Sequence, residues 1–343
     1  MAQSSPHLVS ADDLEKLLAN LRQSSPDPAR GLFGPDSITW RINRESVLFL
    51  AATRAALLQL AHPWVAAAIA QHSPAFSHPI ARLHQTFRIM FTMSFGSVEQ
   101  ACAAARQLHR IHQVIRGTLP QDAGRFAGGS TYEANEVEAL HWVYATLIDS
   151  SVLAYELVLP PLTPAEREQH YRESRQSAEL FGIPPDCWPQ DWAGFESYMQ
   201  SALQSDLLAV TAATRSMAHQ LQDGAGMRIK PPFWYRALTV EMLPPRFREE
   251  FQFPYGEREC QAAARALGWL RRIHPYLPSV LRFVGPYNEA LSRLKGKPPG
   301  AAVRLSNKFW IGKASLFEPP AGLSAELANR RRQPPDAIPP HSV

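Results

Sequence analysis

Disulfide chemistry and cysteine-built metal centres are the first things this sequence excludes. Among its 343 residues are three cysteines, Cys102, Cys187 and Cys260, far apart and odd in number. They cannot form a disulfide framework or a cysteine zinc site, and a reducing, cytoplasmic compartment is expected. Charge is also sparse: 19% of residues are charged and the net charge is +4. With no basic stripe carrying interleaved aromatics, nucleic acid is not an expected partner. Arg330 to Arg332 lie in a Pro-rich terminal stretch and read as a solvated cluster. Glycine is scarce beside proline, 18 against 30. The one Asp-Gly pair, Asp223-Gly224, has no alternating run beside it, so hairpins are not expected. Long uninterrupted apolar runs are missing too. The most apolar stretch, Val47 to Ala70, is broken by Arg54, Gln59, His62 and Pro63, which argues for buried helices over a membrane span. Peripheral membrane contact stays open. The N-terminus has neither the basic leader nor the apolar core of a secretory signal.

Catalytic signatures are equally thin. G-x-S-x-G, the P-loop, G-x-G-x-x-G and HExxH do not occur, and Glu138 to His141 is the one Glu-x-x-His, too few for a di-iron bundle.

What the chain does have is helix punctuation, and the expected fold class is all-α: one large helical domain at 40–297, a leading helix and linker at 1–39, and an irregular Pro-rich tail at 298–343. Ser10 opens a short amphipathic helix with Leu14, Leu17, Leu18 and Leu21 on one side, expected to be peripheral. Further helices are expected at Arg44–Ala61, Pro63–Gln71, Pro79–Met93, Val98–Arg116 and Glu136–Val158. Thr163-Pro164-Ala165-Glu166 then joins an N-cap, a first-turn proline and a capping-box glutamate, starting a helix that runs to Gly182. Later ones are expected at Trp192–Leu203, Leu208–Leu221, Pro232–Met242, Glu257–Arg272 and Tyr287–Leu294.

The helix from Ser97 to Gly117 holds the most chemistry. Ser97 and Gln100 form a capping box, and Gly117 with Pro120 beyond it reads as a left-handed cap and stop. Steps of four, three and four put Ala105, His109, His112 and Arg116 in one row, facing a common cavity. An imidazole and a guanidinium sharing a stripe suit a haem pocket, one for iron and one for a propionate. A lone buried histidine is more often a hydrogen-bonded core residue, so spacing alone leaves His112 open between the two. Arg82 and Thr86, one turn apart, lie on a helix rich in Ile89, Met90, Phe91 and Met93, and a guanidinium there needs an anionic partner. Trp142, Thr146 and Asp149 share a face of a long apolar helix. Asp149 reads first as a structural partner between helices, with orientation of an imidazole as the other option.

Asn43-Arg44-Glu45, Gln59-Leu60-Ala61-His62-Pro63 with Val65-Ala66, Arg82-x-x-x-Thr86, Phe95-Gly96, Ile111 to Gly117, Trp142-x-x-x-Thr146-x-x-Asp149-Ser150 and Leu243-Pro244-x-x-Phe247-Arg248 occur in that order. This succession, from about Trp40 to Phe253, resembles the haem-dependent oxygenase family that includes the latex-clearing rubber oxygenases and the MpaB-type oxygenase of mycophenolic acid biosynthesis. The resemblance implies a globin-related helical bundle holding haem b, with His112 as proximal iron ligand. It further implies Arg82, Thr86, His109, Arg116, Thr146, Asp149 and Arg248 as cofactor-binding residues, Thr86 and Gln85 beside bound dioxygen, and Met90, Met93 and Phe95 against a lipophilic alkene.

Three departures from the latex-clearing pattern point toward the MpaB-like branch and smaller prenylated substrates. Gln85 stands where latex-clearing proteins carry lysine, and His109 where they carry arginine. No acidic residue occurs from Gln59 to Arg82, where their proposed base lies. Two other roles stay open on this reading: a haem-binding sensor or carrier without turnover, and a haem-free lipid-binding or interaction scaffold.

Overall fold

The computed structural model describes residues 7–73 and 77–317. In chain order its helices are α1 (Ala11–Ser24), α2 (Ile38–Asn43), α3 (Ala52–Leu60), α4 (Pro63–His72), α5 (Pro79–Phe95), α6 (Val98–Gln113), α7 (Val137–Val158), α8 (Pro164–Ala178), α9 (Trp192–Gln204), α10 (Ala212–Gln222), α11 (Phe233–Met242), α12 (Pro245–Glu250), α13 (Glu257–Ile273), α14 (Ser279–Arg282), α15 (Gly285–Leu294) and α16 (Ala301–Ile311). Between α6 and α7 two short strands, β1 (Arg116–Thr118) and β2 (Thr131–Glu133), pair antiparallel. The architecture is the all-α one the sequence leads to expect.

Helices start where local side chains satisfy free backbone N–H groups. Ser97 and Gln100 cap α6 reciprocally, at 3.2 and 2.9 Å. Thr163 and Glu166 do the same for α8, and Ser10 and Asp13 for α1. After α8, Gly182 at φ 79° ends the following 3₁₀ turn (Glu179–Phe181).

The helix α7 is the spine. Its first half, with Leu140, Trp142, Ala145 and Ile148, lies in the main core beside α3, α6 and α9. Its second half, through Ala154 and Val158, packs into a separate cluster with Leu238 and Met242 of α11 and Ala263 of α13. A third cluster joins α2, α5, α15 and α16 through Trp40, Phe91, Phe95, Tyr287 and Ile311.

Four expectations are corrected. The run Arg44–Ala61 is not one helix: a 3₁₀ stretch, Ser46–Ala51, precedes α3. The Ser10 helix is not peripheral, because Leu14, Leu18 and Leu21 sit in the main core. The segment after Pro298 is not irregular over its described part. There α16 packs Trp310 against Phe49 and Phe87, and the buried Glu289 carboxylate gathers Asn307 Nδ2 at 2.6 Å and the backbone N–H groups of Leu316 and Phe317. The stretch from Pro319, with Arg330 to Arg332, lies outside the described residues.

The fourth correction concerns the helix with the richest chemistry. It stops at Gln113, and Arg116 enters β1 opposite Glu133. The stop comes from contacts distant in sequence: Tyr132 donates to Gln71 Oε1 at 2.8 Å, Gln71 Nε2 to the Thr118 carbonyl at 3.1 Å, and His72 Nε2 to the Arg116 carbonyl at 3.0 Å. Gly117 is required by this clamp and not by a left-handed cap. A Cβ there would lie 2.5 Å from Gln71 Oε1 and 2.6 Å from the Tyr132 hydroxyl.

Candidate functional site

Helix α5 presents three stripes, each with its own neighbours. Phe87, Phe91 and Phe95 point into the aromatic cluster, and Ile89 and Met93 into the main core. The third row is Arg82, Thr86 and Met90, spaced by four residues. The Arg82 guanidinium donates to Thr86 Oγ1, and the Thr86 hydroxyl donates to the Arg82 carbonyl at 3.0 Å. Burial pushes the Arg82 pKa down with no carboxylate to offset it, although the side chain is reached by solvent.

Across from this row is His112, near the end of α6. The residue is half-buried, and its pKa is pushed down to about 4, first by burial, then by the positive charge of Arg82 and by His109. With a pKa near 4 the imidazole is neutral at pH 7, so one ring nitrogen keeps a lone pair.

Among the described residues, the Asn135 side chain is the group that pulls the His112 pKa back upward. Asn135 is buried just after β2 and firmly held. Its Nδ2 donates to the His109 carbonyl at 3.2 Å, and its own carbonyl accepts from Val9 N at 3.0 Å. Reading the sequence misses this residue, which comes beside His112 through the hairpin return.

The other expected site residues go elsewhere. His109 is buried and bonds the Val9 carbonyl through Nε2 at 2.9 Å, so it does not share a cavity face with His112. Arg116 is exposed in β1. Thr146 is fully buried between α3 and α7, donating to the Val143 carbonyl at 2.7 Å and accepting from Gln59 Nε2 at 3.0 Å. Asp149 does not orient His112. It pairs at 2.7 Å with Arg54, whose guanidinium also reaches Ser150 Oγ at 2.6 Å and the Met242 carbonyl at 2.8 Å. Arg248 binds the Leu243 and Glu241 carbonyls and lies 4.1 Å from the Tyr255 ring centre. Gln85 is exposed next to Thr86. Phe95 is turned away, 5.1 Å from Trp40 and 5.7 Å from Tyr287. Of the expected site residues, Arg82 and Thr86 are hydrogen-bonded to each other, and Arg82 and Asn135 each act on the His112 pKa.

A different recess, of about 480 Å³, lies between α2 and α8, lined by Arg41, Arg44, Glu166 and Glu173 among others. Its charges are largely answered internally, Arg41 by Glu166 at 2.6 Å and Glu173 by the Thr39 N–H at 2.8 Å. It holds none of the expected site residues.

Residues 39–273 match the family described as ER-bound oxygenase mpaB/B'/rubber oxygenase, catalytic domain. The chain belongs to this family. Membership makes it an oxygenase at the level of class, and the matched span contains the whole Arg82–Thr86–His112–Asn135 group while stopping short of α14, α15 and α16. No curated protein and no solved structure matches the chain.

Proposed function

We propose that this oxygenase uses dioxygen to attack an alkene in a lipophilic, prenyl-like substrate, with haem b seated between α5 and α6. The observation that carries this reading is a desolvated, neutral imidazole, His112, whose pKa is lowered further by the charge of Arg82, a cation with no carboxylate partner among the described residues.

The residues fit the group. Iron ligation needs an unprotonated ring nitrogen, and the desolvated His112 provides one. A propionate needs a cation not already neutralised, and Arg82 is such a cation in a wall that penalises its lone charge. Among the described residues no cluster of three His, Cys, Asp or Glu could hold a metal ion. An iron here would take one protein ligand and bring its remaining donors with it. When bound, haem supplies a redox-active iron able to activate dioxygen.

The chain's own residues divide the remaining work. His112 would offer a ring nitrogen to the metal, with Asn135 helping to set its tautomer and orientation. Arg82 answers the propionate. Thr86, and Gln85 beside it, offer polar hydrogens at the recess wall, and Met90 extends that wall with a soft apolar surface. The three free cysteines fit the reducing cytoplasm expected from composition.

Optical spectroscopy tests the reading directly. Protein reconstituted with haem should show a strong Soret band that shifts with carbon monoxide after reduction, and His112→Ala should lose it. Oxygen uptake on a prenylated alkene, absent in His112→Ala, separates a catalyst from a carrier. Protein that refuses haem overturns the proposal.

A further inference from the structure

Residues 290–317 contain six cations, Arg293, Lys295, Lys297, Arg304, Lys308 and Lys313, and not one acidic side chain. Arg293 turns inward, donating to the Ala29 and Phe95 carbonyls. The other five are exposed. On the same segment α16 exposes two large apolar side chains one turn apart, Leu305 at 71% and Phe309 at 74%. Single exposed apolar side chains are common, and it is a contiguous patch of them that marks an interaction site.

The apolar surface continues beyond α16. Leu281, 62% exposed, stands on α14, which packs against α16. His84 of α5 bonds the Phe309 carbonyl at 3.1 Å, and Ile80, one turn before it, and the adjacent Leu83 are exposed as well. Arg304, Leu305 and Lys308 line a shallow recess on α16, so positive charge and apolar carbon are interleaved. The same N-terminal half of α5 carries Arg82, Gln85 and Thr86 on a neighbouring stripe.

We propose that α16, with the exposed edges of α14 and the start of α5, docks on an anionic lipid bilayer. Leu305 and Phe309 enter the boundary between headgroups and acyl chains while Lys295, Lys297, Arg304, Lys308 and Lys313 lie against lipid phosphates. Charge decides between occupants. A second copy of this face would set five cations against five, and residues 318–343 carry equal numbers of acidic and basic side chains; an anionic surface answers all five cations at once. Among the described residues no helix is long and apolar enough to cross a membrane, so the contact is peripheral. It would bring the chain to the phase in which lipophilic molecules concentrate, with α5 at the contact. The inference goes beyond the oxygenase reading and does not depend on haem.

Co-sedimentation of the full chain with vesicles tests it. Vesicles of 70% phosphatidylcholine and 30% phosphatidylserine should bind the protein at least about tenfold more tightly than pure phosphatidylcholine, and 0.5 M salt should reverse most of the gain. Leu305→Ser with Phe309→Ser, and separately Arg304→Glu with Lys308→Glu, should each reduce binding about tenfold or more with an unchanged far-ultraviolet circular dichroism spectrum. Ile229→Ser, which removes an exposed apolar side chain outside this segment, should leave binding as it was. Failure of the wild-type chain to prefer anionic vesicles, or binding as tight as wild type by both double variants, overturns the proposal. A dimer in solution that Phe309→Ser dissociates also overturns it, because the face would then be covered by a second copy.

Discussion

Two arginines, Arg54 on α3 and Arg82 on α5, look alike in the sequence, each a cation in an apolar helix near a threonine or serine. In the structure they are opposites. Arg54 is closed: three groups receive its N–H donors, and the neighbouring rung of the same α3–α7 interface is closed by Gln59 and Thr146. Arg82 is open, with a threonine for company and, among the described residues, no carboxylate. A buried charge whose partners are all supplied by the fold is part of the scaffold, while a desolvated one left short of partners is a candidate to receive a ligand. The same test separates His109, answered by the Val9 carbonyl, from His112.

Exchange of the two arginines tests this difference most strongly. Arg54→Ala should destabilise the fold by about 3 kcal/mol, because Asp149 loses its cation and two acceptors lose their donor. Arg82→Ala should change stability by under about 0.5 kcal/mol while weakening haem uptake. Urea unfolding of both variants decides, and the contrast fails if Arg82→Ala is the more damaging. Next in size, His112→Ala should lower haem affinity more than about 100-fold with little change in unfolding midpoint, whereas His109→Ala should act mainly on stability; haem titration followed at the Soret band measures both.

Asn135→Leu should weaken haem binding about tenfold, as loss of a group that orients a metal ligand does. In the haem-free protein it should also redistribute the His112 ring proton between Nδ1 and Nε2, visible in ¹⁵N-edited spectra. An unchanged tautomer would assign Asn135 to the hairpin alone. On the closed side, Thr146→Val should cost about 1 kcal/mol and leave haem affinity untouched.

Acid should act on the closed core. His62 is held neutral down to about 3, and His141 and His170 down to about 4, chiefly by burial. Their folded pKa values lie below the ordinary 6.5, so the unfolded chain takes up protons first, and stability present above pH 6.5 is lost as pH falls from there toward 4. Glu179, raised to about 7 by burial, works the other way between its ordinary 4.5 and 7, and Glu136 is raised in the same sense, two groups against the four histidines His62, His112, His141 and His170. Urea midpoints at pH 7, 5.5 and 4.5 should therefore decline in that order.

Features governed by near neighbours were legible beforehand. The capping boxes at Ser97 and Thr163 join residues three apart, and the structure has both. Arg82 with Thr86 was legible for the same reason. The end of α6 was not, because Gln71, Tyr132 and His72 impose it from other elements. Asn135 gave no local signal, standing 23 residues beyond His112 in a stretch without periodicity. Leu305 and Phe309 were missed with α16 itself, whose place depends on Glu289 and on Trp310 meeting Phe49 and Phe87.

Residue order by itself determined that this chain is helical, where most of its helices begin, and which oxygenase family it belongs to, since each of these rests on short-range hydrogen bonding or on a succession of motifs. Only the tertiary structure decided which polar side chains stay open. Whether a buried charge or imidazole is satisfied depends on groups brought from far along the chain, and desolvation makes that difference large enough to divide scaffold from site.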